Sequence, residues 1–175
     1  LGSESQNLPA FVVLTDEVGL PLNREANWSN GFVPSIYQGT VVRSREPRIP
    51  DLDAPLHLRG AAQREWLAFL NRFNREHLNQ RPGENDLDAR IASYELAARM
   101  QVAAKEALDI SSESKATQKL YGLDQKETRE FGSRCLIARR LVERGVRFVQ
   151  LHNAYQQWDH HADIHKRLPE MCRKT

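Results

Sequence analysis

Residues 126–151 constrain the fold more than any other stretch. Lys126 to Arg144 reads as one long helix, because Phe131, Cys135, Ala138 and Val142 recur at helical spacing. Gly145 follows, a residue able to take the positive φ that ends a helix. Val146-Arg147-Phe148-Val149-Gln150-Leu151 then alternates and is rich in β-prone side chains, so it reads as a strand. Helix, glycine, strand makes one α/β unit, and such units favour a parallel sheet. Leu8-Pro9-Ala10-Phe11-Val12-Val13-Leu14, which ends in Thr15-Asp16, reads as a second, buried strand.

The rest of the chain fits an α/β class with three or four helices. Residues 16–60 hold Pro21, Pro34, Pro47, Pro50 and Pro55, with Pro9 just before. Turns and irregular structure are expected there, with one short strand at Thr40-Val41-Val42. An irregular stretch of this length is uncommon unless it has a function. From Ala61 the pattern turns helical, with Trp66, Phe69, Leu70, Phe73 and His77 on one face. Pro82-Gly83 ends that helix, and Asn85 or Asp86 can cap the next. The next helix shows Ile91, Tyr94, Ala98 and Val102 on one face and runs to about Leu108. Ser111-Ser112-Glu113 reads as a turn or cap, Tyr121-Gly122-Leu123 as a break, and Lys166 to Thr175 as a last helix.

Composition narrows the function classes. Lys plus Arg is 25 and Asp plus Glu is 23, a net charge of +2, which excludes a polyanion-binding tail or an acidic solvating tail. No apolar run approaches the ~18 residues a membrane-spanning helix needs. Cys135 and Cys172 form no CxxC pair, and Cys135 in an apolar pattern reads as a small buried hydrophobe. GxSxG, Walker A, GxGxxG and HExxH motifs do not occur. Arg139, Arg140, Arg144 and Arg147 read as a solvated helix face paired locally with Glu143 and Glu130 rather than as a nucleic-acid surface. Trp28 and Trp158 read as structural wedges, and His77 as a packing or capping residue.

The chemistry concentrates after the last strand. Four of the six histidines, His152, His160, His161 and His165, lie there together with Asp159 and Asp163. Ligands of α/β sheets bind outside the carboxyl ends of the strands. Imidazole and carboxylate together suit a divalent ion such as Zn²⁺ or Mn²⁺. If a helix begins at 159, Asp159–Asp163 and His161–His165 are i, i+4 pairs on one face. If the chain stays extended, Asp159 and His161 point to the same side.

Several segments resemble one bacterial family. They are Asn27-Trp28-Ser29-Asn30-Gly31-Phe32-Val33-Pro34-Ser35-Ile36-Tyr37-Gln38-Gly39-Thr40, Ser93 to Gln101, Phe131 to Gln150, and Trp158-Asp159-His160-His161. Together they look like the domain-of-unknown-function family numbered 1501, which is similar in fold to the sulfatase and alkaline-phosphatase superfamily. The resemblance implies a partial α/β/α sandwich with a divalent-metal site (Zn²⁺, Ca²⁺, Mg²⁺ or Mn²⁺) at the strand ends. It implies Asp159 and His161 as metal ligands. Related phosphatases space the pair as Asp-x-x-x-His, which would put Asp163 in second place, so His160, Asp163 and His165 stay open as additional ligands.

The resemblance also implies that residues 1–175 form the middle section of a larger domain. The catalytic nucleophile would lie upstream of Leu1 and further metal ligands beyond Thr175, so no catalytic residue is expected in this chain. It implies export to the periplasm or beyond, and a small-molecule or glycan ester as substrate, with no nucleic acid. The expected function is that of a fragment of a metal-dependent hydrolase of sulfate or phosphate esters, itself inactive. The rival from another class is a non-catalytic extracytoplasmic binding domain on the same fold.

Overall fold

The structure, a computed structural model, describes residues 4–16, 18–153 and 158–175. Three strands form one parallel sheet: β1 (Phe11–Leu14), β2 (Thr40–Val42) and β3 (Phe148–Leu151), in the order β2-β1-β3. Val12 pairs with Thr40 on one side and with Val149 on the other. The helices are α1 (Ala61–Asn79), α2 (Asn85–Leu108), α3 (Lys115–Leu120), α4 (Arg129–Glu143) and α5 (Ile164–Lys174). The α/β class and parallel sheet expected from the helix-Gly-strand unit are therefore present. Among the described residues, the segment between β1 and α1 is irregular as expected, broken only by β2 and short 3-10 turns such as Arg24–Trp28. The short helix α3 was not legible in the apolar spacing; Ser114 caps it by accepting the Thr117 amide.

Strand alternation decides what each face of the sheet buries. Val12 and Leu14 point with Val42 toward α2 and α4, where Met100, Ala104, Ala107, Leu108, Ile137 and Leu141 complete the core. Val13 lies on the other face, where it and Trp28 both crowd Gly39. Gly39 permits this close approach, since a Cβ there would sit 2.8 Å from Val13 Cγ2 and 2.9 Å from Trp28 Cβ. Trp28 is thus buried and acts as a wedge, as the sequence suggested. Gly145 has φ +89 and reverses the chain from α4 into β3, the role its position predicted.

Three helix faces differ from those the apolar spacing marked. On α4 the buried residues are Gly132, Arg134, Leu136, Ile137, Arg140 and Leu141, whereas Val142 is exposed. The spacing rule reads arginine as outward-facing, and two buried arginines overturn it. On α2 the buried set is Ala89, Ile91, Met100, Ala104, Ala107 and Leu108, while Tyr94 and Val102 are exposed. Alanines at 89, 92, 97, 98, 103, 104 and 107 spread around that helix, so no single stripe stands out.

On α1 the aromatic ridge of Trp66, Phe69 and Phe73 is about half exposed and stacks along itself at 5.7 and 6.3 Å. The contact with α2 is made instead through the neighbouring side, where Gln63 hydrogen-bonds Gln101 and a cleft of about 1060 Å³ is lined by Leu67, Leu70 and Asn74. His77 on α1 is half-buried, with Nδ1 2.9 Å from Arg81 Nη1. Neither Asn85 nor Asp86 caps α2. Glu84 stands at its N-cap and makes no side-chain cap bond.

Candidate functional site

The carboxyl ends of β1 and β3 lie side by side, because Leu14 pairs with Leu151. The His152 amide donates to the Leu14 carbonyl at 2.9 Å and extends the ladder by one bond. Thr15 and Asp16 leave β1 as buried polar residues. A buried carboxylate needs partners, and each Asp16 oxygen has one. Its Oδ1 accepts the Val18 amide at 2.9 Å, and its Oδ2 accepts Arg134 Nη2 at 2.9 Å.

Arg134 reaches this point from α4 with a side chain only 2% exposed. Its guanidinium also donates through Nη1 to the His152 carbonyl and through Nη2 to Glu130, one turn earlier on α4, at 3.2 Å. The His152 ring stands against the Trp28 indole, with centroids 5.6 Å apart. Burial pushes the His152 pKa down, so this imidazole favours its neutral form. Among the described residues, its Nε2 and that of His160 are shielded from solvent and meet no hydrogen-bond partner.

The predicted ligands lie further along. Asp159 and His161 come together, with Asp159 Oδ2 and His161 Nε2 3.1 Å apart, and both side chains are well exposed. Their contact matches the extended geometry, since α5 begins only at Ile164. The helical alternative fails: Asp159–Asp163 and His161–His165 are not i, i+4 pairs on one helix. Asp163 stands at the N-cap of α5 with φ +54, and its carbonyl accepts the Lys166 and Arg167 amides at 2.9 and 3.0 Å. His165 is exposed in the first turn of α5. Among the described residues no group of three or more His, Cys, Asp or Glu side chains converges on one point. Residues 154–157, inside the segment singled out from sequence, lie outside the described residues.

The arginine group is paired, with partners only partly those expected. Arg139 meets Glu113 at 2.9 Å and Glu143 at 3.3 Å. Arg144 meets Glu106 and Arg147 meets Glu4, each at 3.5 Å. Arg140 is buried rather than solvated. It donates to the Ala107 and Glu106 carbonyls at 2.9 and 2.8 Å and pairs with the Glu113 carboxylate. Glu130 pairs with Arg134 at 3.2 Å. Cys135 is half-buried, and burial raises its thiol pKa. Trp158 is 41% exposed and so differs from the buried Trp28.

The sequence model of one protein family, described as protein of unknown function (DUF1501), matches residues 1–175. The chain belongs to the DUF1501 family. No curated protein and no solved structure matches it. Among the described residues of this DUF1501 chain, no helix is long and apolar enough to cross a membrane. Sequence reasoning missed Asp16, Arg134 and the part His152 plays between them. Asp16 carried a signal, a carboxylate closing an apolar strand. Arg134 carried none, because nothing local separates a buried arginine from the others on α4.

Proposed function

We propose that this DUF1501 chain is part of an exported metal-dependent hydrolase of sulfate or phosphate esters, built on a partial α/β/α sandwich of the sulfatase and alkaline-phosphatase type. The observation that carries the proposal is the Asp159–His161 pair, 3.1 Å apart and solvent-accessible, on the chain that leaves the carboxyl end of a parallel strand. That is where α/β sheets place their ligands.

The donor set fits the group it would hold. Asp159 offers hard carboxylate oxygens and His161 a borderline imidazole nitrogen, the combination found around Zn²⁺ and Mn²⁺. Two such donors are about half of a four-ligand shell. A divalent ion held there supplies Lewis-acid stabilisation of charge on the ester oxygens. Asp159 contributes the countercharge, and His161 contributes Nε2 when that nitrogen is free of a proton. His160, Asp163 and His165 are the nearby candidates for further donors. The substrate class is a small-molecule or glycan ester, and the place of action is the periplasm or beyond.

The test is metal content after loading with Zn²⁺ or Mn²⁺, wild type against Asp159→Ala and His161→Ala. Loss of bound metal in both variants is expected. Unchanged content in both would sink the assignment. Metal binding without ester hydrolysis by the full-length protein would favour the binding-domain rival.

A further inference from the structure

We infer that the exposed aromatic ridge of α1 is a docking surface for a second copy of this chain, packed antiparallel to the first across a two-fold axis. Trp66, Phe69 and Phe73 are 50%, 46% and 58% exposed, and their rings follow one another along the helix. Ala62, also exposed, extends the strip by one turn. Single exposed apolar residues need no explanation, but a contiguous row of large aromatics marks an interaction surface. Trp and Phe are among the residues that interface cores concentrate.

The spacing specifies how a partner helix lies on the ridge. Ala62, Trp66, Phe69 and Phe73 are separated by four, three and four residues, the alternation of a coiled-coil seam. Glu65 and Arg72 each precede an aromatic of the seam, so both stand on the same flank, and both are exposed. The Arg72 guanidinium lies along the ridge, 5.9 Å from the Phe69 ring centroid. Against a second α1 running the opposite way, Trp66 faces the partner's Phe69, and Phe73 faces the partner's Ala62, large against small. In that register Glu65 meets the partner's Arg72, and the two-fold axis repeats the pair.

Other arrangements lose this match. A slip of one heptad either way sets Arg72 against the partner's Arg72, or Glu65 against the partner's Glu65. A parallel pair sets Glu65 opposite the partner's Leu70 and Arg72 opposite the partner's His77. The flank charges are thus self-complementary in the antiparallel register alone. An unrelated partner would require no such match between two positions of one helix, which is why the occupant is a second copy.

Sedimentation equilibrium of the full-length protein tests this, independently of the metal proposal. The samples are wild type, Glu65→Arg, Arg72→Glu, the double variant carrying both changes, and an equimolar mixture of the two single variants. Both positions are exposed, so each variant should fold, which far-UV circular dichroism checks. Wild type should dimerise. Each single variant alone sets like charges opposite each other twice and should weaken dimerisation by at least about tenfold. The double variant and the mixture should both recover it, because their flank pairs are again of opposite sign. A monomeric wild type, dimers indifferent to both single variants, or a mixture no better than its components would overturn the inference.

Discussion

Replacing Arg140 by Met tests the claim that a buried arginine closes one helix from another. Ala107 and Glu106 belong to the last turn of α2, whose carbonyls have no intrahelical partner. Arg140 supplies the missing donors, Nε to Ala107 at 2.9 Å and Nη2 to Glu106 at 2.8 Å, and places its charge at the negative end of the α2 dipole. Met matches the length and apolarity of the stem but donates nothing. The usual leniency toward replacing buried ions with hydrophobes does not apply, because the carbonyls remain.

Each buried acceptor left unpaired costs about 1–3 kcal/mol. Glu113 loses less, since Arg139 still holds it at 2.9 Å. Setting the Met side chain's own burial against this leaves a net loss of about 3 kcal/mol. For a chain of this size that lowers Tm by about 6–12 °C. Urea unfolding followed by far-UV circular dichroism should show a lower midpoint with an unchanged slope. Arg140→Lys should fall between the two, because one ammonium cannot address all three acceptors. A loss below about 1 kcal/mol in Arg140→Met, or a lysine variant as stable as wild type, would refute the reasoning.

Two further predictions follow from the packing and the half-buried imidazole. Gly132→Ala should destabilise by at least the ~1–3 kcal/mol typical of overpacking, because a Cβ there would lie 1.8 Å from the Tyr121 carbonyl oxygen, a backbone atom that cannot step aside. Thermal unfolding of this variant within error of wild type would contradict the close approach of α4 to the Tyr121–Leu123 turn. His152→Phe keeps a ring against Trp28 and removes a titration. Burial depresses the folded pKa of His152, so below about pH 6.5 the unfolded chain takes up a proton that the folded chain resists. Its stabilising effect is complete above that pH and declines as pH falls toward the folded pKa. The variant should therefore lose stability less steeply on acidification below about pH 6.5, and identical pH profiles would count against a desolvated His152 imidazole.

Much of the site region was legible because its signals are local. Asp159 and His161 share a side when the backbone is extended, and α5 starts late enough to leave it so. The paired i, i+4 reading failed because Asp163, with positive φ, marks the true helix start. The Arg134 contacts at the strand ends were not legible. Arg134 and Asp16 are separated by 118 residues, and only the meeting of β1, β3 and α4 brings them within 2.9 Å. Arg140 escaped for the same reason, since its acceptors lie on a different helix.

The sequence by itself determined the α/β class, the parallel strand after Gly145, the wedge role of Trp28 and the clustering of histidine and aspartate beyond β3. These follow from period, turn chemistry and β propensity, which act over a few residues. The tertiary structure alone decided which helix faces are buried, because alanine-rich α2 has no dominant stripe and α4 buries charged residues wherever partners meet them. A buried arginine is tolerable only when distant acceptors converge on it, and that convergence is a property of the packed chain, not of any segment.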